Sequence, residues 1–194
     1  KLGYNVTRIS GKDRYETSVE VGNEVVEKFG NKNKIVLASG SNMVDALCGN
    51  SISAKENIPV LLTQIDELNE YTKKAIKQWN VNEIVIVGGK LSISGKVEQE
   101  LKSMGIKITR LSGKDRFETS VEVAKHIYPN AEKILIANGY NYVDALVSGP
   151  ITQINNTPII LFEKDKIPAS VQKYLNDSNI KEFQIIGGVE SISK

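Results

Sequence analysis

The stretch RISGKDRYETSVEV, Arg8–Val21, returns as RLSGKDRFETSVEV, Arg110–Val123, with twelve of fourteen positions identical. The two changes, Ile9 to Leu111 and Tyr15 to Phe117, are conservative. A near-verbatim repeat constrains the fold more than composition does, because each copy must form the same supersecondary unit. The likeness runs on. IVLASGSNMVDAL (35–47), IPVLLT (58–63) and EIVIVGGKLSIS (83–94) are matched by ILIANGYNYVDAL (134–146), TPIILF (157–162) and EFQIIGGVESIS (182–193). The offset is 102 for the opening phrase and 99 for the rest, and the difference is expected in the surface loop NKNK, 31–34.

The edges of the repeat set the expected domains. KLGYNVTRISG (1–11) aligns with SMGIKITRLSG (103–113), so it reads as the tail of a preceding unit or as a strand of the first. The second unit lacks a counterpart of GKVEQELKSMGIKI, 95–108. The units are expected at 1–109 and 110–194, the second incomplete at its C-terminal end, within a longer repeat array.

Each unit alternates between two kinds of pattern. Short Ile- and Val-rich runs bounded by Gly, Pro or Asn read as strands buried on both faces. Between them, Phe117, Val121, Ala124 and Tyr128 follow helical spacing, as do Tyr15, Val19, Gly22 and Val26. Alternation of this kind predicts an α/β fold with a mainly parallel sheet flanked by helices. Pro150 is expected to kink or shorten a helix that is uninterrupted in the first copy.

Several chemistries are excluded. A formal charge of +2 and the lack of a dense basic block argue against nucleic-acid binding. No apolar run approaches the roughly 20 residues of a membrane helix. The single cysteine, Cys48, permits no internal disulfide and no Cys-based zinc site. The single histidine, His126, cannot serve a His-rich metal site or a triad in each unit. Neither GxGxxG nor GxxxxGK[ST] occurs.

The repeated words carry chemistry of a different kind. Asp13 with Glu16, and Asp115 with Glu118, form capping-box-like pairs at helix starts. Asn42 with Asp45, and Asn141 with Asp144, form a second set behind Gly40 and Gly139, where open α/β sheets bind ligands. Lys12, Arg14, Lys114 and Arg116 flank the first caps, where a helix start disfavours cations by roughly 0.3–1 kcal/mol. Such cations need a carboxylate, from within the unit or from its neighbour, or an external anion. The glycine pairs of IVGG and IIGG read as turns.

Taken in order, RISGKDRYETSVEV, LASGSNMVDAL, PVLLT and IVIVGG resemble the cell wall-binding repeat type 2 family of Gram-positive surface proteins, in two copies covering nearly the whole chain. The resemblance implies tandem Rossmann-like or Toprim-like modules, usually three, packed about a pseudo-threefold axis. It implies non-catalytic, non-covalent anchoring of a secreted surface protein to an anionic cell-wall polysaccharide, without a cofactor. Family members carry partner domains such as amidases, proteases, adhesins and S-layer proteins. The expected polymer-binding residues are the duplicated cations Arg8, Lys12, Arg14, Arg110, Lys114 and Arg116, and the expected partners are the polymer and a third module, in the same or another chain. A spacer whose cations make only internal salt bridges, and an α/β enzyme using Asp45 and Asp144 on a phosphate or sugar, are the alternatives.

Overall fold

The computed structural model describes residues 3–141 and 143–193. The first unit comprises α1 (Arg14–Phe29), β1 (Lys34–Ser39), α2 (Met43–Glu56), β2 (Val60–Thr63), α3 (Glu70–Gln78), β3 (Glu83–Val87), α4 (Gly95–Ser103) and β4 (Lys107–Leu111). The second comprises α5 (Arg116–Ile127), β5 (Lys133–Asn138), α6 (Val143–Leu146), α7 (Gly149–Asn155), β6 (Ile159–Phe162), α8 (Ala169–Asp177) and β7 (Glu182–Ile185). The sheets run β2-β1-β3-β4 and β6-β5-β7, and every described pairing is parallel. Ile35–Ala38 and Ile84–Val87 are buried throughout, as continuous apolar strands demand. The expected unit edge at 109/110 falls inside β4, which pairs with β3 and leads directly towards α5.

The repeated phrase builds the start of the first helix in each unit. Asp13 accepts from the N–H groups of Tyr15 and Glu16, both at 2.9 Å, and Glu16 accepts in turn from the N–H of Lys12. Asp115 accepts from the N–H of Glu118 at 2.8 Å, and Glu118 from that of Lys114 at 2.6 Å. These reciprocal bonds satisfy amides that a helix start leaves without partners. Thr17 and Thr119 each accept from the preceding loop, from Gly11 and Gly113, at 3.0 Å. Ser18 accepts from the N–H of Leu62, and Ser120 from that of Leu161, both at 3.1 Å, which pins each helix to the neighbouring strand.

Two differences between the copies have local causes. The extra residues of the first copy lie in the helix and not in the NKNK loop: α1 has 16 residues and α5 has 12. Gly30 ends α1 in the left-handed conformation, whereas Pro129 restricts Tyr128 and stops α5 a turn earlier. Pro150 divides the counterpart of α2 into α6 and α7, because its ring displaces the carbonyl four residues back and offers no N–H.

The units meet along α2. Its Val44, Leu47, Cys48 and Ile52 join one apolar cluster with Val36 of β1 and with Phe117, Val121 and Val123 of α5, so α2 packs on its own sheet and on the next unit. Val123 is 2% exposed, but its counterpart Val21 on α1 is 47% exposed. The strand reading of the opening segment is not met, because residues 3–11 form no strand.

Substituting Asp115→Ala is expected to cost about 1 kcal/mol, within the range for lost helix caps. Urea unfolding of the intact chain measures it, and a cost near zero would show that the cap contributes nothing.

Candidate functional site

The carboxyl ends of β1 and β3 open towards the start of α5. Between them lies a cleft of about 480 Å³, lined by Asn42, Asp45 and the Gly89–Ser92 loop of the first unit and by Gly113–Arg116 and Thr119 of the second. Ligands of open α/β sheets favour this position. A cavity of about 410 Å³ beside Lys55 and Tyr128 lies away from the repeated words.

On the first-unit side, Ser39 Oγ accepts from the N–H groups of Ser41 and Asn42, at 3.2 and 3.3 Å, and turns the chain at the strand end. Asn138 does the same for Tyr140 and Asn141, at 2.7 and 2.8 Å. Asn42 caps α2 by accepting from the N–H of Val44 at 3.3 Å. Asp45 is not part of that cap. It is buried, and it accepts from the Asn42 side-chain amide at 2.9 Å and from the Ser92 hydroxyl. In the second unit, Ser191 Oγ donates to Asp144 at 2.6 Å. Gly88 and Gly187 lie at φ 107° and 114°, and a Cβ there would stand 2.4 and 2.5 Å from the aspartate oxygens. Both the conformation and the contact require glycine. The double-glycine turn therefore folds over a carboxylate and returns a serine to it.

Burial pushes the Asp45 carboxyl above its usual range, against the opposing effects of Ser92, the Arg116 charge and Asn42. Burial, helped by the Asp45 charge, also pushes the neighbouring Cys48 thiol up to about 12.

The six expected cations fall into distinct settings. Arg14 donates to the Gly40 carbonyl at 2.7 Å and Arg116 to the Gly139 carbonyl at 2.8 Å, so each ties its helix start to the end of the central strand. Arg116 also lies 5.1 Å from the Tyr140 ring. Arg110 pairs with Glu98 at 2.9 Å and donates to the Gly88 carbonyl at 2.8 Å. Hydrogen bonds from Lys102 and then from Arg110 hold the Glu98 carboxyl below its usual range. Lys12 and Lys114 are exposed and form no ion pair among the described residues. Arg8 is exposed in the opening segment. Lys114 and Arg116 thus share the cleft, Arg110 is bonded to Gly88 just ahead of its Gly89–Ser92 loop, and Arg14, although at the carboxyl end of β1, lies outside the cleft lining, as do Arg8 and Lys12.

Lys90 and Ser92 complete the cleft but were not among the expected residues. Ser92 was detectable, since GGKLS and GGVES both place a serine three positions after the second glycine; Lys90 is not repeated. Among the described residues no three His, Cys, Asp or Glu side chains stand together as metal ligands, and no helix is long and apolar enough to cross a membrane.

The model of a family described as Cell wall binding domain 2 matches residues 8–98 and again 110–194. The chain belongs to the cell wall binding domain 2 family. It is similar to Cwp6 from Clostridium difficile, with a TM-score of 0.86 at 33% identity, covering 95% of this chain and 29% of that one. Cwp8 from the same organism gives a TM-score of 0.81 at 31% identity, with 95% and 31% covered. N-acetylmuramoyl-L-alanine amidase LytC of Bacillus subtilis (strain 168) is 31% identical over 97% of the chain, which spans 37% of that protein. The amidase enhancer of the same strain is 37% identical over 83% of the chain, which spans 22% of it. Family and relatives associate the chain with the cell wall and agree with a binding module, since the amidase similarity covers only part of the amidase.

The buried carboxylate gives a pH test. A raised folded pKa means the folded chain retains a proton that the unfolded chain has lost, so Asp45 makes stability fall as pH rises from the ordinary carboxylate range through the raised value. Relative to wild type, Asp45→Asn is expected to flatten that part of the stability profile in urea unfolding from pH 4 to 7 (roughly the carboxylate range). Parallel profiles would overturn the assignment.

Proposed function

We propose that the chain is a non-catalytic anchor that binds an anionic cell-wall polysaccharide at the junction of its units. The observation that supports this reading is the cleft itself, a depression made jointly by repeated words of both units and bordered by Lys90, Lys114 and Arg116. The helix-start amides are already engaged by Asp115 and Glu118, so an anion is held by side-chain charge and by the remaining guanidinium N–H groups. Of the six duplicated cations, Lys12 and Lys114 supply free charge, Arg14 and Arg116 supply direction, and Arg8 and Arg110 stand at the flanks.

Neighbouring units are the second partner. Val21 on α1, and Val143, Leu146 and Val147 in the second unit, are exposed where their counterparts are buried between the two units. A third unit, in this chain or another, fits both faces and brings Lys12 and Arg14 opposite an Asp144–Ser191 pair. Several weak sites on one scaffold then act together on a polymer that repeats its own charge. The full protein is a secreted surface protein, and a separate domain such as an amidase supplies any catalysis. A spacer role draws support from Arg14, Arg110 and Arg116, whose bonds are internal; the unpaired Lys12 and Lys114 favour binding.

Co-sedimentation with wall sacculi, before and after the attached anionic polymer is stripped, tests the anchor. Binding is expected to be lost on stripping, to weaken as salt screens the charges, and to fall about threefold to tenfold in Lys12→Gln/Lys114→Gln (roughly 0.7–1.4 kcal/mol). Equal binding by that variant would remove the lysines from the site, and equal binding to stripped walls would point to peptidoglycan instead.

A further inference from the structure

The cleft between the units is bordered by cations, yet its wall also holds a carboxylate. Lys90, Lys114 and Arg116 line it together with Asp45 and Asp115. Asp115 is engaged by a helix amide. Asp45 is buried, and among the described residues it forms no ion pair. An anion that enters the cleft therefore meets Lys90, Lys114 and Arg116 with a negative charge set among them whenever Asp45 is ionised.

The other groups around Asp45 have settled roles. Asn42 and Ser92, which bond to it, do not titrate. Cys48 on the same helix keeps its proton, because its thiol is pushed up to about 12. On the β3 side, Arg110 donates to the Gly88 carbonyl and pairs with Glu98. On the α5 side, Glu118 accepts from the N–H of Lys114, and the Arg116 charge acts on Asp45 directly. Burial outweighs that charge and the bonds from Ser92 and Asn42, so Asp45 keeps its proton to a higher pH than an ordinary carboxyl.

We propose that the cleft takes up a proton together with its anion, and that Asp45 is the group that receives it. The proposal rests on the cleft being the polymer site. Protonation at Oδ1 leaves Oδ2 to accept from the Asn42 amide, so the loop over Asp45 is held in both states. The coupling is reciprocal. An anion in the cleft raises the pH at which Asp45 loses its proton, and a proton on Asp45 tightens the anion by the same factor. Affinity is thus highest while Asp45 is neutral and falls as pH rises through its raised value.

Co-sedimentation with polymer-bearing wall sacculi, from about pH 4, the ordinary carboxylate range, to about pH 8, tests the coupling at fixed ionic strength. Wild type is compared with Asp45→Asn, which is neutral at every pH. Titration of the polymer and of the other cleft groups acts on both chains and cancels in the ratio of their affinities. The ratio of wild type to variant is expected to start near one and to fall about threefold to tenfold across the range, the effect of one charge several ångströms away in a partly wet cleft. Ser92→Ala removes a bond that favours the ionised carboxyl, so it is expected to move the midpoint of the wild-type fall to higher pH. That shift reports on Asp45 even where Asp45→Asn fails to fold. A ratio that stays flat, or a midpoint that Ser92→Ala leaves in place, overturns the proposal while the chain still binds the wall. A wild-type chain that binds at no pH overturns the reading of the cleft as the polymer site, and the proposal with it.

Discussion

A helix that is apolar on two sides needs two covers, and a single small sheet supplies one. α2 is such a helix. It packs against β1 of its own unit and against α5 and α7 of the next. Burial of each large side chain contributes on the order of 1.5–3 kcal/mol. Four buried apolar residues of α2 lie in a cluster to which both units contribute, so the first unit folded alone would forfeit part of that burial. The tandem arrangement thus adds to stability, and the cleft follows from it. Its two walls come from different units and keep their spacing only while α2 and α5 remain packed.

At the helix starts of the two units, the two kinds of cation are used differently. Arg14 and Arg116 present a planar fork to a carbonyl at a strand end, and so fix the helix start against the sheet. Lysine is a flexible point charge with no such geometry to impose, and Lys12 and Lys114 extend into solvent. An arginine-to-lysine exchange that preserves charge would therefore disturb the frame. The carboxylates also divide their tasks. Asp13 and Asp115 engage helix amides, while Asp45 and Asp144 organise the double-glycine turn.

Much of this was legible in the sequence. The strand runs, their parallel arrangement and the Asp–Glu helix starts follow from apolar patterning and from capping chemistry, both of which act over a few residues. Asp45 was misread for the same reason: its spacing from Asn42 mimics a cap, but its partner Ser92 lies far along the chain and is brought near only by the β3 turn. The length difference was misplaced because loops usually absorb insertions, whereas here Gly30 and Pro129 set different stopping points for one helix. The split role of the cations was hidden as well. Lys12 and Arg14 look alike in sequence, and only the position of the Gly40 carbonyl separates them.

Cys48 lies in the seam between the units, buried, with its thiol pushed up to about 12. At neutral pH only about one thiol in 10⁵ would then be ionised, and the thiolate is the form that attacks disulfides and oxidants. An oxidising environment therefore has little purchase on this sulfur while the seam is closed. Reactivity returns when the helices part, which makes the one cysteine of the chain a built-in reporter of how often the two units let go of each other.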